Sequence, residues 1–340
     1  MNNLRFNALV LETIERCNAK CAVCYQAAGP KGSDIRGDGH LPVSLVKSVI
    51  EQATTVQELQ GSRVHVSGGE AFLDYGETLE IFSHAASCEF HDIGATTNAF
   101  WATNPAEAER KCRELSSAGV TYLEVSMDFW HLPYVSTRRV RNLLRAARQT
   151  GIRVMVRTLS SRHHHMDELF GDFTEEEFLY LQIGNSPVAP VGRGSDNLSA
   201  PEVYGEAVAE ACCDAMLNLT VTPNGNVCPC CAGSDMTESL SSGNVHRDSL
   251  ADIVLRMRTD QMMNQLIHGG PYTLLPVVKQ LGFAERIAPA HSSICHLCWD
   301  IFRHEDVGNA LRAHFQEEQF ERLLDLVQAL NYDSPPPILA

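Results

Sequence analysis

Short β-like runs alternate with helical stretches from Asn7 to Ile183, and this alternation restricts the fold more than any other feature of the chain. Asn7–Ile14 (NALVLETI) reads as a strand and Pro42–Leu59 as a helix, with Pro42 suited to its first turn. Arg63–Ser67 (RVHVS) is the next strand and Gly76–Ser87 the next helix, followed by a strand at Asp92–Thr97. Asn104 and Pro105 then open a helix as N-cap and first residue, and Gly119 closes it. Tyr122–Met127 (YLEVSM) reads as a strand, Val135–Gln149 as a helix ending at Gly151, and Arg153–Leu159 and Phe178–Ile183 as two more strands. Strands that alternate with helices of this length imply a parallel sheet. Six units are too few for a full eight-stranded barrel. The expected fold is therefore α/β, a partial (β/α)6 barrel.

Pro187–Asn197 (PVAPVGRGSDN) breaks the rhythm, and the alternation stops after it. This places a boundary near residue 195, with a barrel domain over 1–195 and a smaller α+β domain over 196–340. In the second part Leu217–Thr222 reads as a hairpin arm turned at Pro223-Asn224-Gly225. Ser249–Ile267 and Asn309–Leu330 read as helices, and the tail Pro335–Pro337 as loose chain.

Twelve cysteines stand out against this background. A chain of 340 residues buries enough surface to fold without disulfides. Its apolar run Ala8–Leu11 is too short for a secretion signal. The uncharged stretch Ala215–Ser234 contains Asn218, Pro223, Asn224, Gly225 and Pro229, which do not suit a spanning helix. A soluble, cytoplasmic protein is expected, where thiols stay reduced and cysteines serve metal or redox chemistry. The charge, 27 Lys+Arg against 42 Asp+Glu for a net −15, disfavours a nucleic-acid partner. The basic run Arg138–Arg148 has the spacing of a solvated helix face.

Cys17-x3-Cys21-x2-Cys24 directly follows the first strand. His40, the next His or Cys, is sixteen residues beyond Cys24. A structural zinc site closes with four ligands, whereas a reactive centre keeps a position open. Three thiolates at the C-terminal end of a parallel strand therefore point to a four-iron cluster with one iron free, with a zinc knuckle and a distant fourth ligand as the alternative. This spacing in this position resembles the radical S-adenosylmethionine (SAM) superfamily. The aromatic that the family has just before its third cysteine is Val23 here, and Tyr25 follows Cys24 instead. Ser67-Gly68-Gly69-Glu70 after the second strand resembles the family's GGE motif, with Ala71 where Pro is usual. The resemblance implies that Glu70 accepts from the SAM ammonium and that Gly68 and Gly69 let the backbone approach the ligand. Thr97-Asn98 resembles the family's Thr-Asn-Gly, with Ala99 in place of Gly. Ser126 or Asp128 would meet the ribose, Asp128 having a helix N-cap as its alternative role, and Arg157 could meet the SAM carboxylate. The resemblance further implies a SAM-bound [4Fe–4S] cluster, an electron donor such as flavodoxin or ferredoxin, and a 5′-deoxyadenosyl radical that abstracts hydrogen from unactivated carbon.

The later cysteines form a second group. Cys213 and Cys230 flank the Asn224-Gly225 turn, and Cys295-x2-Cys298 completes a set of four that could hold zinc or a cluster. The set, with Gly192-Arg193-Gly194 ahead of it, resembles the auxiliary-cluster domain of radical SAM enzymes, in the shorter "twitch" form of the SPASM domain. That resemblance implies an auxiliary [4Fe–4S] cluster. Cys212, Cys228 and Cys231 are surplus: alternative ligands, buried thiols, or a hydrogen donor to a substrate radical, with Cys212 the candidate donor. His131 and Tyr134 sit at the active-site end as a candidate substrate-side acid/base pair. His163-His164-His165 reads as a solvated loop, and Cys88 and Cys112 as core.

The expected function is a radical SAM oxidoreductase or isomerase that matures a ribosomally made peptide by crosslinking or epimerisation. Cys17 lies too near the start for a leader-binding domain ahead of it, so a separate leader-binding protein is an expected partner. The first alternative is a radical dehydrogenase or epimerase of an aminocyclitol or sugar. The second, of another class, is a non-catalytic zinc or iron–sulfur binding protein. No nucleic-acid or membrane partner is expected.

Overall fold

The computed structural model describes residues 4–205, 208, 217–231 and 237–332. β1 (Ala8–Glu12) is buried at every residue, as befits a strand covered on both faces. The cysteine loop follows, then a small hairpin of β2 (Ala28–Gly29) and β3 (Gly32–Ser33), and α1 (Val43–Ala53). Next come β4 (Arg63–Ser67), α2 (Tyr75–Ser87), β5 (Ile93–Thr97), α3 (Pro105–Ser117), β6 (Tyr122–Ser126), α4 (Thr137–Thr150) and β7 (Arg153–Ser160). A four-residue α5 (Glu175–Phe178) leads to β8 (Gln182–Pro187), and α6 (Gly194–Asn197) lies beyond it. The strands β1, β4, β5, β6, β7 and β8 stand side by side in chain order, all parallel, which is the six-unit α/β arrangement expected.

Strand alternation divides the side chains between two faces. Val64, Val66, Ile93, Ala95, Leu123, Val125, Val154 and Val156 are buried in the main core with Val49 and Ile50 of α1, Phe82 of α2, Leu115 of α3 and Leu143 of α4. The intervening residues, among them His65, Thr96, Tyr122, Glu124 and Ser126, belong to a polar inner face. Local chemistry sets the helix ends. The Asn104 side chain accepts from the Glu107 N–H at 3.0 Å, with Pro105 in the first turn, and α4 ends on Gly151 at φ 76°. The arginines of the basic run do face outward, but Arg141 and Arg145 pair with Glu177 and Arg148 with Glu176.

Four expectations are corrected. The strand expected at Phe178–Ile183 starts at Gln182 instead. Thr174 and Glu177 form a capping box for α5, and Phe178 joins Phe170 and Phe173 in an aromatic cluster. The apolar run thus serves packing, while the strand itself is polar and exposed. The helix expected over Ser249–Ile267 is two helices, α7 (Leu250–Thr259) and α8 (Gln261–Gly269), because Asp260 leaves helical geometry and caps the second through the Met263 N–H. After α9 (Leu275–Gln280), Cys295 and Cys298 lie on α10 (Ile294–Phe302), capped by Ser293. α11 (Glu305–Tyr332) starts earlier than expected. The hairpin arm is also more than an arm. β9 (Asn218–Val221) pairs antiparallel with β10 (Val227–Cys228) and parallel with β1, so the sheet has eight strands and continues past residue 195. Among the described residues no helix is long and apolar enough to cross a membrane.

Candidate active site

The C-terminal ends of β1, β4, β5 and β6 surround one cleft, the usual place for ligands in a parallel sheet. It encloses about 420 Å³ of empty space, part of it continuous with solvent. Cys17, Cys21 and Cys24 line it together with Gly68, Gly69, Glu70, Thr96, Thr97, Asn98, Ser126 and His131.

The two glycines have a structural cause. Gly68 has φ 132°, and a Cβ on it would lie 2.5 Å from the Ile14 carbonyl oxygen; one on Gly69 would collide with that of Arg16. The Gly69 and Glu70 N–H groups donate to the Ile14 and Arg16 carbonyls at 2.7 and 2.9 Å. The turn after β4 is thus pressed against the start of the cysteine loop. Glu70 is buried and accepts from the Asn98 N–H at 2.7 Å, Thr97 Oγ1 at 2.9 Å and the Phe72 N–H at 3.3 Å. Burial pushes its carboxyl up to about 7 despite those bonds. Asn98 donates through Nδ2 to Asn18 at 2.9 Å and contacts Cys17 Sγ at 3.9 Å. Burial raises the Cys17 and Cys24 thiols, so loading a metal would displace their protons.

His131 Nδ1 lies 2.8 Å from Asp128 Oδ1. Burial depresses the imidazole, but the Asp128 charge and hydrogen bond, with a contact to Cys21, hold it well above its usual value. Asp128 also accepts from the Trp130 and His131 N–H groups, so it organises this turn and is not among the cleft-lining residues.

Arg193 fixes the cysteine loop from outside. Its guanidinium donates to the Cys21 carbonyl at 2.9 Å, to those of Ala27 and Ala28, and to Asp34 at 2.9 Å. Its own N–H donates to the Cys24 carbonyl at 3.0 Å. Gly192, at φ 57°, lies so close to Tyr25 that a Cβ would collide with the Tyr25 carbonyl oxygen.

The remaining predicted residues lie outside this lining. Tyr25 packs with Val191, Ala189, Trp299 and Cys295. Arg157 is half-exposed and 3.8 Å from Glu124. The Tyr134 hydroxyl donates to the Lys20 carbonyl at 2.7 Å. In the second cysteine group Cys228 and Cys230 are buried, Cys231 Sγ is 3.8 Å from Asn218 Nδ2, and Cys298 packs against the main core. Cys212 and Cys213 lie outside the described residues. His164, expected in solvent, stacks on Phe129 with centroids 3.4 Å apart.

Sequence reasoning passed over three constellations. Arg36 bridges the buried Glu12 and Glu15 at 3.0 and 2.7 Å. Arg193 was visible only as part of a Gly-Arg-Gly run. His65, Thr96 and Tyr122 meet across three strands.

The thiol arrangement suits a multi-iron cluster. Among the described residues the set whose ligand atoms all lie within 4.8 Å of one another is the surface group His40, Asp74 and Glu77. Cys17, Cys21 and Cys24 share a cleft without converging as tightly as one zinc ion requires.

Comparison with known proteins agrees with this geometry. The model of the radical SAM superfamily matches residues 11–170, and that of the SPASM iron–sulfur cluster-binding domain matches residues 212–299. The "Putative peptide biosynthesis protein YydG" of Bacillus subtilis (strain 168) is 21% identical over 297 residues, covering 84% of this chain and 89% of its own length. A GTP 3′,8-cyclase of Peptoclostridium acidaminophilum is 27% identical over 126 residues, 36% of this chain and 35% of its own. Among solved structures, a histidine-tagged anSMEcpe with bound AdoMet superposes with a TM-score of 0.54 at 13% identity, covering 95% of both chains. Native anSMEcpe with bound AdoMet and the Cp18Cys peptide gives 0.50 at 13% identity, covering 95% of this chain and 99% of that one. The first domain binds SAM and a [4Fe–4S] cluster, and the second an auxiliary iron–sulfur cluster. The chain is thus a radical SAM superfamily enzyme whose radical SAM domain is followed by a SPASM iron–sulfur cluster-binding domain.

Proposed function

We propose that this enzyme matures a ribosomally made peptide, as an oxidoreductase that forms a crosslink or an isomerase that inverts an α-carbon. The observation that carries the reading is the likeness to YydG, named a peptide biosynthesis protein, along 84% of the chain. Bound peptide in one structure of the same fold is consistent with it.

In this reading Cys17, Cys21 and Cys24 hold the catalytic cluster, and Gly68, Gly69, Glu70, Asn98 and Ser126 frame SAM in the cleft. Together these cofactors supply a 5′-deoxyadenosyl radical for hydrogen abstraction. Glu70 offers carboxylate oxygens to the SAM ammonium. Asp128 orients His131, which lines the cleft with Cys21 as an acid/base group. Cys213, Cys230, Cys295 and Cys298 hold the auxiliary cluster, and in the isomerase case a surplus thiol such as Cys212 gives a hydrogen atom to the substrate radical, its thiyl being restored to the thiol by an electron from the donor protein and a proton from solvent. The functional division falls near residue 195, although the sheet runs across it. Reducing equivalents come from a flavodoxin or ferredoxin in the cytoplasm, and a separate protein presents the leader.

The test is turnover of short peptides encoded beside the gene, by anaerobically reconstituted enzyme with SAM and reductant in deuterated water. A product that gains solvent deuterium without a change of formula is an epimer; one that loses two hydrogens is a crosslink. Turnover of an aminocyclitol or sugar, with every such peptide inert, would overturn the peptide reading.

A further inference from the structure

The inner face of the sheet carries a hydrogen-bonded chain that ends in the cleft. His65 of β4 is opposite Gly94 of β5, and Gly94 is opposite Tyr122 of β6. Because residue 94 is glycine, the Tyr122 ring can lie across β5; a Cβ there would be 2.6 Å from ring atoms. The ring reaches His65 and stacks on it, with centroids 5.7 Å apart. His65 Nδ1 is 2.8 Å from Tyr122 Oη, and Nε2 is 2.8 Å from Thr96 Oγ1. His65 and Tyr122 are buried, while Thr96 lines the cleft beside Glu70, Ser126 and His131.

The direction of this chain is set at its far end. Burial depresses the His65 pKa and keeps the imidazole neutral, so one ring nitrogen donates and the other accepts. Tyr122 lies against two cations, with Arg63 5.2 Å and Arg153 5.8 Å from its ring centroid. Among the described residues His65 Nδ1 is the one hydrogen-bond partner of the buried Tyr122 hydroxyl, so the hydroxyl hydrogen goes to Nδ1, since otherwise it would be buried unpaired. The imidazole proton must then sit on Nε2 and be donated to Thr96 Oγ1. Among the described residues the Thr96 hydroxyl has no further hydrogen-bond partner, so its hydrogen is left for the cleft.

We propose that Tyr122 and His65 form a one-way hydrogen-bond relay that presents the Thr96 hydroxyl as a donor to an acceptor oxygen of SAM. This rests on the reading that SAM occupies this cleft. Thr96 is the binding residue; His65 and Tyr122 are positioning residues that act through it. The relay gives the enzyme a donor whose direction is fixed before the cofactor arrives, so no hydroxyl has to reorient on binding.

Two measurements test it. In the first, SAM affinity of anaerobically reconstituted enzyme is measured by equilibrium dialysis. Thr96→Val should weaken binding about tenfold, the scale of a lost hydrogen bond to a charged or strongly polar acceptor. Thr96→Ser should stay near wild type. His65→Phe should weaken binding similarly, and the double variant His65→Phe/Thr96→Val should be no weaker than either single one. Unchanged binding in Thr96→Val, or additive losses in the double variant, would overturn the proposal. In the second, 15N-histidine spectra of cluster-free wild-type protein should show His65 protonated on Nε2, and Tyr122→Phe should release it into a tautomer mixture. An Nδ1–H imidazole in the wild type overturns the relay whatever the cleft binds. Reconstituted wild-type enzyme that fails to bind SAM overturns instead the cofactor reading on which the relay's ligand depends.

Discussion

At the scale of single residues, the cysteine loop depends on a clamp that contains no cysteine. Arg193→Ala would remove the guanidinium from the Cys21, Ala27 and Ala28 carbonyls, leaving Cys21 and Ala27 only the N–H groups of Cys24 and Asp34. A hydrogen bond from a charged donor contributes about 1.5–3 kcal/mol. The expected outcome is lower iron content after reconstitution, and amide exchange across residues 17–34 faster by about tenfold or more. Gly192→Ala should act in the same direction more severely, because its Cβ would meet the Tyr25 backbone and its φ is left-handed. Wild-type iron content in both variants would show that the loop holds itself. Cys17, Cys21 and Cys24 were legible in the sequence because one loop carries all three. Arg193 and the His65–Tyr122–Thr96 chain were not, because their partners are set by strand register and by a return of the chain more than 160 residues later.

At the scale of elements, apolar patterning gave good bounds wherever a strand is covered on both faces, as in β1 and β4. It misplaced β8, whose exposed polar residues carry no such pattern, and it could not pair β9 with β1, since a four-residue strand does not encode its neighbour. Two joints between elements yield predictions. Asp260 caps α8 and pairs with Arg312 at 2.8 Å; Asp260→Ala should lower unfolding stability by about 1–2 kcal/mol, read from chemical denaturation. Glu177 joins α5 to α4. Burial raises its carboxyl, but hydrogen bonds from Arg141 and the Thr174 N–H, with the charges of Arg141 and Arg145, outweigh that and lower its pKa. A lowered folded-state pKa gives stability that is complete above the unfolded value of about 4.5 and is lost as pH falls through the folded value. The acid limb of the stability profile should therefore be shallower in Glu177→Gln, and an identical limb would remove Glu177 from the account.

At the scale of the whole molecule, the twelve cysteines now fall into distinct settings. Three line the cleft at the end of the parallel strands, and Cys112 is core as expected. Of the described cysteines of the later group, Cys228 lies on β10 with Cys230 and Cys231 just after it, and Cys295 and Cys298 lie on α10; Cys295 packs against the same Val191 and Trp299 cluster as Tyr25, the residue after Cys24. The radical SAM architecture was legible in the sequence because its motifs follow successive strands in order; the substrate was not, because no residue pattern in the cleft names a peptide. Reconstituted enzyme should carry about eight irons, in two four-iron clusters, and the triple change of Cys17, Cys21 and Cys24 to Ala should retain about four. Loss of all iron in that variant would tie the two cysteine groups into one site. The most direct measurement is SAM cleavage under strong reductant, read as 5′-deoxyadenosine. The account predicts cleavage by the wild-type enzyme and none by Cys17→Ala; undiminished cleavage by Cys17→Ala, or stoichiometric zinc with no cleavage by the wild type, would contradict it.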